Sequence, residues 1–413
     1  MPEHVAVIGA GVVGLACAAQ LRLRGYAVTV IDPQPPGEGC SFGNAGCLSR
    51  ASCVPLGLPG SWMKVPKWLL DPAGPLSIRP QYAHKIAPWL WRLNLSTTLA
   101  RVNQIADALH PLLDKSIDKW RPLAEWAGVP ELIRQDGYAF AYESESGFCA
   151  DTLGRQLRNA RGVKIEVLTG PQIREFDPAL SAAITHFVLL PEQGHVPSPI
   201  RLSRALARQL TAAGGTFVTQ GAKGFELRDG RVTTVITDGT RIGVNAVVIA
   251  AGAHSKGLAS QLGSTVPLET ERGYHVMLES PTVTPRIPVC SGEGKFFISQ
   301  MEGGLRVAGT VELAGLDAPP NYRRADCLAP GAMRLLPGLR HGKVERWMGH
   351  RPSLPDSMPV LGRAPRYGNA FFAFGHGHVG LTAASTTAEI IADLLGGRRP
   401  YMDIAPFRAE RFS

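Results

Sequence analysis

Apolar and polar positions follow several rhythms along the chain. At its start, Val5-Ala6-Val7-Ile8 is apolar without a break, the pattern of a strand buried on both faces. Gly9-Ala10-Gly11-Val12-Val13-Gly14 follows and leads into an uncharged helical stretch reaching Leu21. A second apolar run, Ala27-Val28-Thr29-Val30-Ile31, then stops at Asp32. Strand, glycine turn, helix, strand and acid, in that order, are the parts of a dinucleotide-binding βαβ unit. Gly9 permits the tight turn, Gly11 lets the backbone approach a pyrophosphate, and Gly14 lets the helix lie close to the strand. The helix start offers unpaired N–H groups and a partial positive charge to phosphates. Asp32, followed by Pro33, sits where a carboxylate accepts both hydroxyls of an adenosine ribose and repels a 2′-phosphate. The unit alone does not separate NAD from FAD.

Further along, helical and strand periods alternate. Ile105 to Trp126 carries apolar residues at helical spacing (Ile105, Leu109, Leu112, Leu113, Ile117, Trp120, Leu123), and 151–160 reads as a further helix. Thr169-Gly170-Pro171-Gln172 is a helix start that Pro178 stops; Pro199 to Ala213 is an amphipathic helix closed by Gly214-Gly215. Thr216 to Thr219 and Gly224 to Thr237 alternate as strands, with Asp229-Gly230 as a hairpin turn. Asn245 to Ala250 is a buried strand ending at Ala251-Gly252. Tyr274 to Leu278, Lys295 to Ser299 and Leu305 to Val311 form a β-rich section. Ala370 to Phe374 is one more strand, and a glycine loop at Gly377 feeds a long helix to Leu395. The pattern is α/β with α+β inserts: a Rossmann-like nucleotide domain and a discontinuous second domain holding a mostly antiparallel sheet. We assign 1–57, 188–265 and 341–413 to the nucleotide domain, and 58–187 and 266–340 to the substrate or cap domain.

Composition narrows the partners. The chain of 413 residues is long enough for two or three domains. Its net charge of +9 is spread without a basic tail or an RNA-binding motif, which argues against nucleic acid as a partner. An apolar start also suits a signal peptide, but no basic residue precedes this run and the glycines interrupt it. Removing it would destroy the nucleotide unit, so the expected location is the cytoplasm. Seven cysteines form no CxxC pair and no Cys/His metal spacing; Cys40, Cys47 and Cys53 cluster in one loop region, either as redox thiols or as small semi-buried residues. Residues 55–95 hold four of the seven tryptophans, Trp62, Trp68, Trp89 and Trp91, among Lys64, Lys67, Arg79, Lys85 and Arg92. Two readings stand: a lid whose aromatics pack over the active site, or a patch resting on the inner face of an anionic membrane.

Five segments carry a likeness to a known family. They are Ser41-Phe42-Gly43-Asn44-Ala45-Gly46, Glu166 to Leu180 with Asp177-Pro178-Ala179-Leu180, Val247 to Ser255, Gly349-His350-Arg351-Pro352-Ser353-Leu354-Pro355-Asp356-Ser357-Met358-Pro359-Val360-Leu361-Gly362, and Gly375-His376-Gly377-His378-Val379-Gly380. In this order they resemble the D-amino acid oxidase superfamily of flavoenzymes, nearest to the small-subunit type of bacterial D-amino acid dehydrogenase. The resemblance implies FAD. It makes Ser41, Asn44, Ala45 and Gly46 a loop beside the flavin. Glu166 to Leu180 becomes a linking helix, and Ala251 and Gly252 a small-residue turn. Gly349 sits in the substrate-arginine motif, and Gly375, His376, Gly377, His378, Val379, Gly380 and Leu381 form the last flavin loop. That loop opens a helix, a second anion-friendly N-terminus for the charge that reduced flavin carries. Lys223 falls near where the family backbone touches adenine, although an apolar residue is usual there.

Arg351 is the expected substrate residue, because a guanidinium grips a carboxylate with two parallel hydrogen bonds. Tyr274 and His275 begin the substrate sheet and either face the pocket or pack in the sheet core. His376 and His378 either bond the flavin or pack the loop, Glu312 has a structural task, and His350 lies next to the arginine. The implied reaction is dehydrogenation of the C–N bond of a small D-amino acid, with D-proline and hydroxy-D-proline as cyclic relatives. Glycine or sarcosine oxidation and a non-catalytic flavin-binding subunit are the alternatives, and an NAD-linked Rossmann dehydrogenase is a further one. A quinone, a partner flavoprotein or oxygen would take the electrons.

Overall fold

A computed structural model describes residues 3–71 and 74–413, without the side chains of Lys64, Lys67 and Leu70. Lys64 and Lys67 of the tryptophan-rich segment therefore lie outside the described side chains. Among the described residues six strands build the first sheet, in the order Val360–Arg363, Ala370–Phe374, Ala246–Ile249, His4–Ile8, Ala27–Ile31, Thr216–Val218. Neighbours run parallel except for the first pair. The unbroken apolar run at the N-terminus has a direct cause. Val5 and Val7 face a layer containing the helices Val12–Leu23, Ser116–Trp126, Pro199–Ala212 and Gly380–Leu395. Ala6 and Ile8 face the other way, toward Val232 and Val235 of a three-stranded antiparallel sheet and Leu258. Each large apolar side chain buried here contributes roughly 1.5–3 kcal/mol.

Among the described residues the second sheet has nine strands. Along its main path they run Val344–Ser353, Glu269–Leu278, Gly304–Leu313, Phe296–Met301, Val289–Ser291, Tyr138–Tyr142, His186–Leu190, Glu166–Thr169, and Leu76–Ile78 pairs in parallel with Gly304–Leu313. One face holds Tyr274, Val276, Leu278 and Val307 against the helix Leu328–Leu335.

Strand pairing redraws the expected domain limits. Val344–Ser353 and His186–Leu190 join the second sheet, although 341–413 and 188–265 were assigned to the nucleotide domain. Leu99–Asp114 and Ser116–Trp126, placed in the cap, instead pack with the nucleotide domain, where Trp120 Nε1 donates to Leu381 O at 2.8 Å. These contacts join residues hundreds of positions apart, which a linear pattern does not display. The single helix expected over 105–126 is two, interrupted at Lys115 (φ −89°, ψ 5°). The expected linking helix over 166–180 is a strand, Glu166–Thr169, then a short helix, Pro171–Phe176. In the tryptophan-rich segment Trp89 is buried beside Ile86 and Leu313, but Trp62 and Trp91 are 63% and 64% exposed. Those two rings do not behave as the packed aromatics of a lid. No helix among the described residues is long and apolar enough to cross a membrane.

Candidate active site

A cleft of about 600 Å³ runs along the C-terminal ends of the first sheet's parallel strands. Gly9 sits at its floor with φ +113°, and a Cβ there would lie 2.3 Å from Ala250 O. A Cβ on Gly14 would lie 1.9 Å from Gly9 O, so this glycine seats the helix from below rather than lining the cleft. Gly11 caps the helix Val12–Leu23, and Val12 N donates to Ser41 Oγ at 2.9 Å. Asp32 is held by two backbone donors, Ala10 N to Oδ2 at 2.7 Å and Gln34 N to Oδ1 at 2.8 Å. One carboxylate thus ties the glycine turn to the end of the next strand and still borders the cleft. Ala10, Val13, Pro33, Asn44, Ala251, Gly252, Gly349, Gly375, His376, Gly377, Gly380 and Leu381 line it as well. The N-termini of Val12–Leu23 and Gly380–Leu395 therefore both open on this space.

A smaller cavity of about 130 Å³ adjoins the cleft, and Cys40, Asn44, Trp347, Gly349 and Gly377 border both. Strand alternation builds its wall. Arg351, Gly349 and Trp347 project from one face of Val344–Ser353, opposite Glu271, Gly273 and His275 of the neighbouring strand. A Cβ on Gly273 would lie 2.3 Å from Arg351 Cζ, so the missing side chain is the groove in which the guanidinium rests. Arg351 Nη1 donates to Thr310 O at 3.2 Å. Thr310 adopts φ +56°, an unfavourable region for a β-branched residue. Among the described residues Arg351 makes no ion pair within 4 Å, although Glu271 stands opposite it in register and feels its charge. Burial pushes the Glu271 carboxyl up, against the pull of the Arg351 cation. The site therefore presents a guanidinium free to take a carboxylate from outside.

A family model described as "FAD dependent oxidoreductase" (DAO) matches residues 4–394. The chain belongs to this family. A protein of Bradyrhizobium diazoefficiens described as D-amino-acid oxidase is 42% identical over 421 residues, covering 100% of both chains. One from Rhizobium johnstonii described as D-amino acid dehydrogenase is 31% identical over 414 residues, covering 99% of each. The solved structure of glycine oxidase from Geobacillus kaustophilus superposes with a TM-score of 0.78 at 22% identity, covering 98% of each chain, which speaks to fold. The cofactor is FAD, and the cleft suits it: side chains at Gly9 and Gly14 would collide with backbone, and two helix N-termini face the same space.

With FAD as the cofactor, the remaining expected residues can be placed. Ala45, His378 and Val379 border the smaller cavity rather than the cleft. Gly46 lines neither; at φ +80° a Cβ would lie 2.4 Å from Val196 O, so it shapes the loop. Lys223 points away and pairs with Asp238 at 2.9 Å, while Gly221 and Ala222 border the cleft.

Tyr274 borders the smaller cavity, but its side chain belongs to the apolar core on the sheet's other face. Its hydroxyl donates to Glu312 at 2.5 Å and accepts from Asn321 N at 3.0 Å. Burial and Glu312 push that hydroxyl up to about 12. Glu312 also takes Arg79 Nε at 2.9 Å and lies 3.6 Å from Arg272, so its role is structural. Of the two readings of Tyr274, packing in the sheet core is the one that describes its side chain.

His275 does face the cavity side, but it stacks on Trp347 (5.0 Å, 16°) and its Nδ1–H donates to Gly43 O at 3.2 Å. Burial, aided by Arg306, pushes its pKa down to about 3. His376, bonded to Thr387 Oγ1 at 3.0 Å, is pushed to about 3 by burial. His378 borders the smaller cavity and is exposed; the desolvation of its ring, with Arg351 nearby, pushes its pKa down to about 4. All three imidazoles are neutral near pH 7 and weak as bases. His350 projects to the face opposite Arg351 and meets Thr270 Oγ1 at 3.1 Å. Sequence reading missed Trp347, Thr310 and a row of hydroxyls at Ser49, Ser52 and Thr382. A buried threonine near the start of the last helix was the available signal for that row.

Proposed function

We propose that the protein dehydrogenates the C–N bond of a small D-amino acid. The observation that carries this reading is Arg351, an unpaired guanidinium fixed by Thr310 O in a cavity that opens on the FAD cleft. The two relatives whose descriptions name D-amino acids, at 42% and 31% identity over the full chain, support the stereochemistry. When bound, FAD supplies the two-electron acceptor for the hydride on Cα. Arg351 grips the carboxylate with two parallel hydrogen bonds and so sets the orientation of the Cα–H bond. No strong base is needed once the amine is neutral, which agrees with histidines held at about 3 to 4. The imine from a primary amine hydrolyses to a 2-oxo acid and ammonia, whereas D-proline or hydroxy-D-proline leaves as a ring imine. Glycine or sarcosine oxidation is the second reading, favoured by the small volume of the cavity, about 130 Å³.

Anaerobic reduction of the holoenzyme by a panel of D-, L-, cyclic and N-methyl amino acids tests the proposal. Bleaching by small D-amino acids and not by their enantiomers is expected, and failure with every member overturns the reading. The acceptor is decided in the same preparation by oxygen uptake against dye reduction; the relative at 42% is described as an oxidase and the one at 31% as a dehydrogenase. We assign the enzyme to the cytoplasm on its seven unpaired cysteines. The exposed Trp62, Met63, Trp91 and Leu95 support peripheral contact with an anionic bilayer. Sedimentation with anionic vesicles at low salt checks it, and a protein left wholly in the supernatant rejects it.

A further inference from the structure

We propose that Ser52 and Thr382 form the subsite that receives the substrate amino group. The inference rests on the amino acid reading above and concerns the wall of the smaller cavity occupied by Ser49, Ser52 and Thr382. A hydroxyl has one proton to donate and two lone pairs. Here the protons are already committed inside the protein. Ser52 Oγ donates to Ser49 Oγ at 2.6 Å, and Ser49 Oγ is shared with Tyr138 OH at 2.7 Å. Thr382 Oγ1 donates to Cys47 O at 3.2 Å and accepts from Ser49 N at 3.0 Å. Ser52 is left with two unused lone pairs and Thr382 with one. This wall therefore offers acceptors, whereas Arg351 offers only donors. One cavity with a donor-only group and an acceptor wall matches the two ends of an α-amino acid.

The charge of the cavity selects the form of the nitrogen. No carboxylate is among the residues that line it, and Arg351 already places a cation there. A second cation is disfavoured, so the wall takes the neutral amine through its N–H bonds. That form keeps its nitrogen lone pair. With FAD bound to take the Cα–H hydrogen and its electron pair, this lone pair would close the C=N bond, and the iminium would give its proton to water. A primary amine has two N–H bonds for two acceptors, and a cyclic secondary amine has one. The subsite therefore favours primary D-amino acids.

The test compares a ligand that has the amine with one that lacks it, on the same FAD-loaded protein. KM is measured for D-alanine, and the Kd of propionate is measured by flavin absorbance or calorimetry. Ser52→Ala is expected to raise the KM for D-alanine about tenfold, the equivalent of one hydrogen bond, and to leave the Kd of propionate within about twofold. Ser52→Thr, which keeps the hydroxyl, restores most of the loss, whereas Arg351→Lys weakens both ligands. An unchanged KM in Ser52→Ala overturns the subsite, as does an equal weakening of propionate. If the wild-type flavin is reduced by no amino acid at all, the underlying reading fails instead, and the two failures are distinct.

Discussion

Gly273→Ala tests the substrate site through a single methyl group. The new Cβ would lie 2.3 Å from Arg351 Cζ, 2.4 Å from its Nη2 and 2.7 Å from its Nε. Carbon atoms prefer separations of about 3.5–4.0 Å, so the guanidinium must retreat by more than about 1 Å. That displacement breaks the contact to Thr310 O and misaligns both donors offered to a carboxylate. A hydrogen bond to a charged group is worth about 1.5–3 kcal/mol, which corresponds to a rise in KM of roughly 10- to 150-fold. Misplaced Cα–H geometry adds a fall in kcat of up to about 100-fold. Folding is expected to survive, because the obstructing atoms end a flexible side chain and Gly273 does not have a positive φ. The assay is anaerobic flavin reduction over a range of D-alanine, with FAD content and Tm measured on the same sample. Full FAD occupancy, a Tm within about 3 °C of wild type and a sharply raised KM are expected. Wild-type KM and kcat would refute the assignment of Arg351 and its groove.

Arg351→Lys should retain yellow, FAD-replete protein and raise KM steeply, because an ammonium cannot make the two parallel bonds; an unchanged KM removes Arg351 from the site. Gly9→Ala places a Cβ 2.3 Å from a backbone oxygen at φ +113°, and should yield protein that is unfolded or free of FAD, read from the 450 nm to 280 nm absorbance ratio. Stability should fall below about pH 6.5, because His275 and His376 hold their pKa near 3 in the fold and regain an ordinary value on unfolding. The stabilising contribution is complete above the unfolded pKa and is lost as pH falls toward 3, by about 1.4 kcal/mol per pH unit for each residue. Denaturant midpoints at pH 7 and pH 5 read this slope, and His275→Phe should flatten it; an identical slope rejects the buried neutral imidazole.

The nucleotide unit was legible because its signals are local. Buried strand, glycine turn and terminal Asp32 all lie within the first 32 residues, and each has one physical reading. Arg351 was legible through its motif and the chemistry of a guanidinium. Tyr274 was not, because a shift of one position along a strand moves a side chain to the opposite face, and parity depends on pairing to Val344–Ser353. The hydroxyl wall was invisible for a different reason. Whether Ser52 offers a donor or an acceptor depends on Ser49, Thr382 and Tyr138, which converge only in three dimensions.

The strand order of the first sheet also bears on how the chain is made. His4–Ile8 lies between Ala27–Ile31, which follows at once, and Ala246–Ile249, which does not. At about 5–20 residues per second, a ribosome needs roughly 12–50 s to add the ~240 residues that separate the strand from its second neighbour. During that interval Val5, Ala6, Val7 and Ile8 present an apolar strand with one unpaired edge, a template for pairing with other chains. Ala370–Phe374 and the helix that closes the FAD cleft arrive later still. Chaperone demand should therefore fall on the amino-terminal half of the nascent chain, and chains released before their last fifty residues should aggregate rather than capture FAD.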